Sequence, residues 1–443
     1  MGLCWPYTWF TKVELRPYQN DTVDWLKAHR RNILGSSPGT GKTACVLRSI
    51  PEGPTLVVCG LKDAMWTWER EIPKWLSGAE FVVYHGTPTQ RSRLETKGPD
   101  FLITTPRMLP EVMEKRQRWR DLVVDEAQYI RGRNIASTKA LRKIRTEGFS
   151  WVSGSPMVKS PADLWVPLNL IDKKQFSSYW RWVFEHCIVY NNGFGNKVMG
   201  PSDAPRTAES LRPYYWAILK SMIQDQLPPK NRYSVFCELT PAQRKLYDEL
   251  DKEMIGYLKG GELLLTPNVL ALGTRIQQLF ISPELLPGWK GPSESGMLSV
   301  LHDRVVEDFE NEENVAIFTP YAEAIPIIAR SLPPCEVFTF RGGQSNKKSI
   351  QGFQAFQGRK VLIGTIMSAA SFDAYSATVG YFVGMEWLPA FNFQAEDRIH
   401  RLGQTHSVDI RYLAYRGTVQ GDRQMDVLDE RTTWAEALLG KVT

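Results

Sequence analysis

The sequence predicts an α/β protein of two doubly wound parallel-sheet lobes with helical insertions between them. Three observations carry this. Short apolar runs recur and each ends in small or polar residues; helix-like segments lie between most of them; and the same design returns in the second half. A strand of a parallel sheet is covered on both faces, so it reads as a continuous apolar run rather than an alternating one. Alternation of such runs with helices builds a sheet with helices on both sides. A chain of 443 residues suits two such domains of about 200 residues each.

In the first half the runs are 32–35 (NILG), 55–60 (TLVVCG), 81–85 (FVVYH), 101–105 (FLITT), 122–126 (LVVDE) and 151–154 (WVSG). In the second they are 315–319 (VAIFT), 336–340 (EVFTF), 360–365 (KVLIGT), 379–384 (VGYFVG) and 408–413 (VDIRYL). The repeat is one of architecture, not of sequence. Between the halves the chain changes character. It is rich in helix-like segments, carries aromatics at 179–184 (YWRWVF) and 214–216 (YYW), and is punctuated at Pro228-Pro229, Gly260-Gly261 and Pro287-Gly288. The expected division is a first lobe over 1–160, helical insertions and an interlobe linker over 161–296, and a second lobe with a C-terminal helix over 297–443.

Composition narrows the class without naming it. Hydrophobic residues make up 43% and charged residues 23%, as in ordinary globular proteins. The 15 Trp residues are spread along the chain and read as packing residues. A net charge of +6 permits a phosphate backbone as partner. Cys4, Cys45, Cys59, Cys187, Cys237 and Cys335 form no CxxC pair, which speaks against a zinc ribbon or a redox motif and for a reducing compartment. His186 beside Cys187 reads as structural, because zinc wants four ligands at recognisable spacing. No run of 18 apolar residues offers a membrane span. The start lacks the order of a signal peptide, and Pro6 stands where a myristoylation signal wants Ser or Thr. A cytoplasmic protein, not secreted, is expected.

In open α/β sheets ligands sit at the carboxyl ends of the strands, so the polar residues ending the runs are where chemistry is sought. The segment 36–43 (SSPGTGKT) follows a strand-like run and opens a helix-like one. A loop of this kind points backbone N–H groups at phosphate oxygens, with Pro38, Gly39, Thr40 and Gly41 as the cradle. Lys42 would reach the β- and γ-phosphates of ATP, and the Thr43 hydroxyl would hold Mg²⁺. The general pattern has Gly where Ser36 stands.

The second motif, 125–128 (DEAQ), directly follows the run LVV, which puts both carboxylates at a strand tip. Asp125 fits the acid that holds Mg²⁺, and Glu126 the base that orients water. The third is 394–404 (QAEDRIHRLGQ). A helix over 391–402 would carry Gln394, Arg398 and Arg401 on one face at i, i+4 and i+7. Two guanidiniums there could clamp a triphosphate and stabilise charge in the transition state. Gln19, in LRPYQ just before the first strand, could read an adenine edge, since its amide both donates and accepts.

Taken together these segments resemble helicase superfamily two, and within it the Swi/Snf-type ATPases. LRPYQ, PGTGKT, DEAQ, SGSP and QAEDRIHRLGQ are similar to that family's adenine-reading segment and to its motifs one, two, three and six. HGTPTQR, ITTPRML, LPPK and LTPAQRKLYDEL follow in the right order, and THSVDIRYLAYRGT resembles the annealing-helicase branch. The resemblance covers roughly residues 13–440 and implies two RecA-like lobes. It makes Lys42, Thr43, Asp125 and Glu126 the nucleotide and Mg²⁺ residues, Arg398 and Arg401 the arginine fingers from the second lobe, and Gln19 the adenine reader. It places Thr105 and Arg107 where the family touches the DNA backbone, and Ser368 at the start of the loop matching motif five.

That loop departs from the family. It reads SAASFD over 368–373, without glycine and with Asp373 where Asn is usual. The Arg-rich segment usual before LPPK is replaced by 219–226 (LKSMIQDQ). The resemblance implies a DNA-dependent ATPase that translocates on duplex, forked or branched DNA in replication, repair or recombination. A monomer in a compact phage or bacterial form is expected, since no accessory domain fits this length. Three alternatives stand beside it: a strand-separating helicase, a non-catalytic DNA-binding module with a vestigial ATP site, and an ATPase acting on protein partners.

Overall fold

The structure is a computed structural model that describes residues 13–418, apart from 116–117, 192, 194, 220–222, 224–226, 260–266, 343–345, 372–373 and 402. The chain divides into two compact units between Gln224 and Asp225.

In the first unit the strands are β1 (Arg31–Leu34), β2 (Thr55–Cys59), β3 (Phe81–Val83), β4 (Phe101–Thr104), β5 (Asp121–Asp125) and β6 (Gly148–Val152). A hairpin of β7 (Cys187–Asn191) and β8 (Asn196–Pro201) follows, and then β9 (Tyr215–Trp216). The main sheet runs β3-β4-β2-β5-β6-β1-β9, and all its pairings are parallel. Burial on both faces explains the unbroken apolar runs. Leu56 and Val58 of β2 enter one core with Ile33, Leu102, Leu122, Val124 and Trp151. Their neighbours Val57 and Cys59 enter the opposite core with Leu34, Ile103, Val123 and Val152.

The second unit repeats the plan with β10 (Lys230–Cys237), β11 (Val315–Thr319), β12 (Glu336–Phe340), β13 (Lys360–Thr365), β14 (Val379–Val383) and β15 (Val408–Tyr415). Its sheet runs β10-β15-β14-β11-β13-β12 and is again all parallel. One face packs aliphatics such as Val315, Ile317, Ile363 and Val383. The other is an aromatic layer, in which Phe318 stacks on Phe382 at 5.2 Å and Phe382 on Tyr412 at 4.5 Å. Gly364 makes room for that layer, since a Cβ there would sit 2.4 Å from the Phe340 ring.

Every apolar run read from the sequence is a strand, most of them with ends within a residue of the reading. The run at 151–154 is the main shift: its strand begins at Gly148, where the Asp121 carboxylate, paired to Arg30 at 2.7 Å, leans over a position with no side chain. The stretch 161–296 differs more. It holds helices, among them Tyr179–His186, Ala204–Leu211, Pro241–Lys259 and Pro267–Ile281, but also strands of both sheets and the antiparallel hairpin. β9 is only two residues long and β10 is an edge strand with Tyr233 and Phe236 exposed, so neither shows an apolar run. The C-terminal helix read at the end of the second lobe lies outside the described residues.

Trp68, Trp151 and Trp182 are buried, as packing residues should be, while Trp387 is exposed. His186 is buried against Trp182 with its Nδ1 3.1 Å from the Thr207 hydroxyl. Among the described residues no helix is long and apolar enough to cross a membrane.

Candidate functional site

Three loops of the first unit leave the carboxyl ends of neighbouring strands β1, β6 and β5. The loop after β1 turns into the helix Lys42–Ser49. Gly39 and Gly41 have φ of +80° and +83°, a backbone that L side chains rarely adopt. A Cβ on Gly41 would also lie 2.2 Å from the Gln19 amide nitrogen. The N–H groups of a helix's first turn have no intrahelical acceptor, so this turn presents donors to an anion. Lys42 folds back over the loop and donates from Nζ to the Ser36 and Ser37 carbonyls at 2.9 and 3.1 Å. Thr40 is buried and its hydroxyl donates to the Ser37 carbonyl at 2.8 Å; Pro38 is also buried, and Thr43 is half-buried in the first helical turn.

Gln19 lies in the first turn of the helix Pro17–Ala28. Its Nε2 donates to the Thr40 carbonyl at 3.1 Å, and its Oε1 accepts the Arg16 N–H at 3.0 Å. The structure therefore brings Gln19 against the glycine loop. Ser36 has its own explanation. Its buried hydroxyl accepts the Ile218 N–H at 2.8 Å, and the Ser37 N–H donates to the Ile218 carbonyl at 2.9 Å. A glycine at 36 would leave the Ile218 donor without that acceptor.

Asp125 ends β5 with 7% of its surface exposed. Its Oδ2 accepts the Trp68 indole N–H at 2.8 Å and its Oδ1 accepts the Glu126 N–H at 2.9 Å. Burial, and then the Glu126 carboxylate, push the Asp125 carboxyl up to about 6, against the opposing pull of Trp68 and Lys42. The glycine loop and the Asp-Glu turn leave the same end of the sheet, from β1 and β5 on either side of β6. Glu126 holds φ at +47°, a strained value for a residue with a side chain and one that clusters at functional turns. Its Oε2 accepts the Gln128 amide N–H at 2.6 Å, and Gln128 Oε1 accepts the Ser153 hydroxyl at 2.6 Å. This chain of bonds joins DEAQ to SGSP.

The residues fit ATP and Mg²⁺. A hydroxyl and a buried carboxylate are hard oxygen ligands of the kind Mg²⁺ takes, and the left-handed glycines keep side chains out of the loop.

In the second unit Gln394 and Arg398 are buried on the helix Pro389–Ile399. The reading of a helix over 391–402 is corrected here. The helix stops at Ile399, and His400 caps it with φ −99° and ψ 88°. Arg401 therefore lies beyond the helix and does not share its face with Gln394 and Arg398. The physical reason is that the carbonyls a further turn would use have other partners: that of Arg398 accepts the Ala374 N–H and that of Ile399 the Gln404 amide, while the His400 ring is held at the Pro228 carbonyl.

Thr105 follows β4 and its carbonyl accepts the Met108 N–H, with Arg107 exposed beside it. Ser368 follows β13 and its hydroxyl accepts that of Thr365 at 2.7 Å. Asp373 lies outside the described residues, as does most of 219–226. Sequence reasoning missed Trp68, Gln128 and Glu396. Gln128 carried a signal as the last residue of DEAQ and Glu396 as an acid inside an arginine-bearing helix, whereas Trp68 carried none.

Residues 18–285 match the SNF2-related domain. An uncharacterised ATP-dependent helicase of Mycoplasma genitalium is 23% identical over 92% of this chain and 40% of its own length. The human SWI/SNF-related matrix-associated actin-dependent regulator of chromatin subfamily A member 1 is 24% identical over 92% of this chain and 42% of its own. The chain thus spans about 40% of the length of such curated relatives. A solved Sulfolobus solfataricus SWI2/SNF2 ATPase core in complex with dsDNA is 22% identical, covers 99% of this chain and 96% of that chain, and has a TM-score of 0.46. The domain match takes in the glycine loop, DEAQ and SGSP and extends over more than half of the chain, which belongs to the SNF2-related family.

Proposed function

We propose that this protein is an ATP-driven DNA translocase of the Swi/Snf type. The observation that carries the reading is that the left-handed glycine loop with Lys42 and the buried Asp125 leave the carboxyl ends of β1 and β5, which flank β6 in one sheet. Membership of the SNF2-related family supports it, as do relatives named as ATP-dependent helicases and as a regulator of chromatin. The continuation 405–418 supports the finer placement in the annealing branch.

In this reading the loop N–H groups and Lys42 hold the phosphates of ATP, and Gln19 meets the adenine. Mg²⁺, held by Thr43 and Asp125, would offset charge on the β- and γ-phosphates. Glu126, fixed by Gln128, orients a water against the γ-phosphorus and takes its proton as the bond to ADP breaks. Arg398 and Arg401 supply counter-charge to the γ-phosphate from the second unit, and Gln394 binds the nucleotide through its neutral amide. ATP and DNA each bias the same conformational equilibrium, so hydrolysis alternates the grip on the track. Thr105, Arg107 and Ser368 contact backbone phosphates, which makes binding sequence-tolerant and salt-sensitive. The track is duplex, forked or branched DNA, the working form a monomer, and the setting replication, repair or recombination in the cytoplasm.

The test is steady-state ATP hydrolysis without nucleic acid and with duplex, single-stranded, forked or four-way-junction DNA, or RNA. Lys42→Ala and Arg401→Ala are expected to lose DNA-stimulated turnover while melting at the wild-type temperature. Wild-type turnover by Lys42→Ala would overturn the site assignment. Hydrolysis indifferent to DNA would point to a protein-directed ATPase, and no hydrolysis at all to a DNA-binding module.

A further inference from the structure

The helix that carries Arg398 is gripped by a cluster of charged residues that the mechanism above does not use. Glu396 is fully buried. Its Oε2 accepts Lys230 Nζ at 2.8 Å and a terminal nitrogen of Arg232 at 2.7 Å. Its Oε1 accepts Arg232 Nε at 2.9 Å and the Tyr412 hydroxyl at 2.6 Å. The Arg232 guanidinium also lies 5.0 Å from the centre of the Phe393 ring. One turn further on, His400 is buried and its Nε2 donates to the Pro228 carbonyl at 2.8 Å. The Pro229 carbonyl accepts the Val408 N–H at 2.9 Å and so docks the same segment to β15.

Phe393, Glu396 and His400 stand at i, i+3 and i+7, one stripe of the helix and its cap. All three are held by residues 228–232. Two helical residues turn the chain by about 200°, so the grip on Glu396 is from the side opposite Arg398. The Arg398 carbonyl meanwhile accepts the Ala374 N–H at 2.9 Å, a bond from a different loop. Buried ion pairs are poor at raising stability, because desolvation offsets their attraction, but they have strict geometric demands. A carboxylate with four donors cannot slide along β10 without breaking them.

The segment that provides this grip is the first chain of the second unit. Its counterpart in the first unit, Ile218, is bonded to Ser36 and Ser37 of the glycine loop. Each end of the connecting stretch 218–228 is therefore tied to a nucleotide motif of its own unit.

We infer that Lys230, Arg232 and His400 are positioning residues that act through Glu396 and the helix cap to aim Arg398 and Arg401 at the γ-phosphate. The inference rests on the proposed function, in which those arginines stabilise the transition state. Lys230→Met keeps an unbranched side chain one atom shorter and removes its charge, while Arg232 and Tyr412 still satisfy Glu396. Arg232→Met does the converse at a side chain that is 45% exposed, which keeps a second variant in hand if the first folds poorly.

DNA-stimulated hydrolysis by both variants is measured as kcat and KM for ATP, with Lys230→Arg, Arg398→Ala and the melting temperature alongside. The nucleotide is held in the ground state by the glycine loop. Misaimed arginines are therefore expected to lower kcat about tenfold and leave KM within about twofold. Lys230→Arg is expected to recover most of the loss. Two outcomes overturn the inference: wild-type kcat in both Met variants while Arg398→Ala is inactive, or a loss in Lys230→Met that Lys230→Arg leaves unrepaired although it restores the melting temperature. Wild-type kcat in Arg398→Ala overturns instead the role of the arginines on which the inference stands.

Discussion

At Ser36 a hydroxyl stands where the phosphate-loop pattern has only hydrogen, and it accepts the Ile218 N–H from a segment 182 residues away. Losing a buried acceptor strands its donor, at a cost of about 1–3 kcal/mol. Ser36→Ala is expected to lower the urea midpoint of the first unit accordingly with an unchanged slope. An unchanged midpoint would mean that the bond contributes nothing. Gln128 makes the complementary case on the other loop. Its amide receives the Ser153 hydroxyl and holds the Glu126 carboxylate, so Gln128→Ala unpins the proposed base without touching the glycine loop. The expected result is a fall in kcat of about tenfold with KM for ATP nearly constant. A rise in KM alone would show that Gln128 serves binding instead.

Among the elements, the helix Pro389–Ile399 departs most from its sequence reading, because bonds to other segments end it before Arg401. Its anchor has a pH signature. Burial alone would raise the Glu396 carboxyl, but Lys230 and Arg232 outweigh it and hold the group at about 2, below the ordinary 4.5. The unfolded chain binds that proton more readily than the folded one. The stabilisation is therefore complete above about pH 4.5 and is lost as pH falls toward 2, on the order of 3 kcal/mol. Glu396→Gln is expected to be less stable at neutral pH and to lose less on acidification across that window. Parallel acid curves for wild type and variant, followed by denaturant unfolding, would show that the carboxylate is not linked to stability. The short strand β9 and the edge strand β10 make a related point: neither has two buried faces, so neither leaves the apolar run that marks the inner strands.

For the whole molecule the proposal is a motor whose hold on DNA is mainly electrostatic. Each phosphate contact releases a counterion, so the DNA concentration giving half-maximal ATPase should rise steeply with salt. It should not depend on base sequence. A sequence preference of a hundredfold, or no salt dependence between 50 and 200 mM salt (a range on the order of that used to measure such contacts), would count against backbone tracking. Displacement of a third strand from a triplex, without unwinding of a tailed fork, is the outcome that separates duplex translocation from strand separation.

The strand pattern, the glycine loop and the Asp-Glu turn were all legible in the sequence, for a physical reason. A strand buried on both faces must be apolar along its length, and a phosphate loop needs glycine, lysine and hydroxyl within a few residues of one another. Such requirements are local, and they leave local marks. Tertiary structure alone decided which residues hold the site in place. Trp68 meets Asp125 across 57 residues, Arg232 meets Glu396 across 164, and Ser36 meets Ile218 across 182. No spacing rule links such partners; the packing of the sheets brings them together, and the same packing ended the Arg398 helix one turn early.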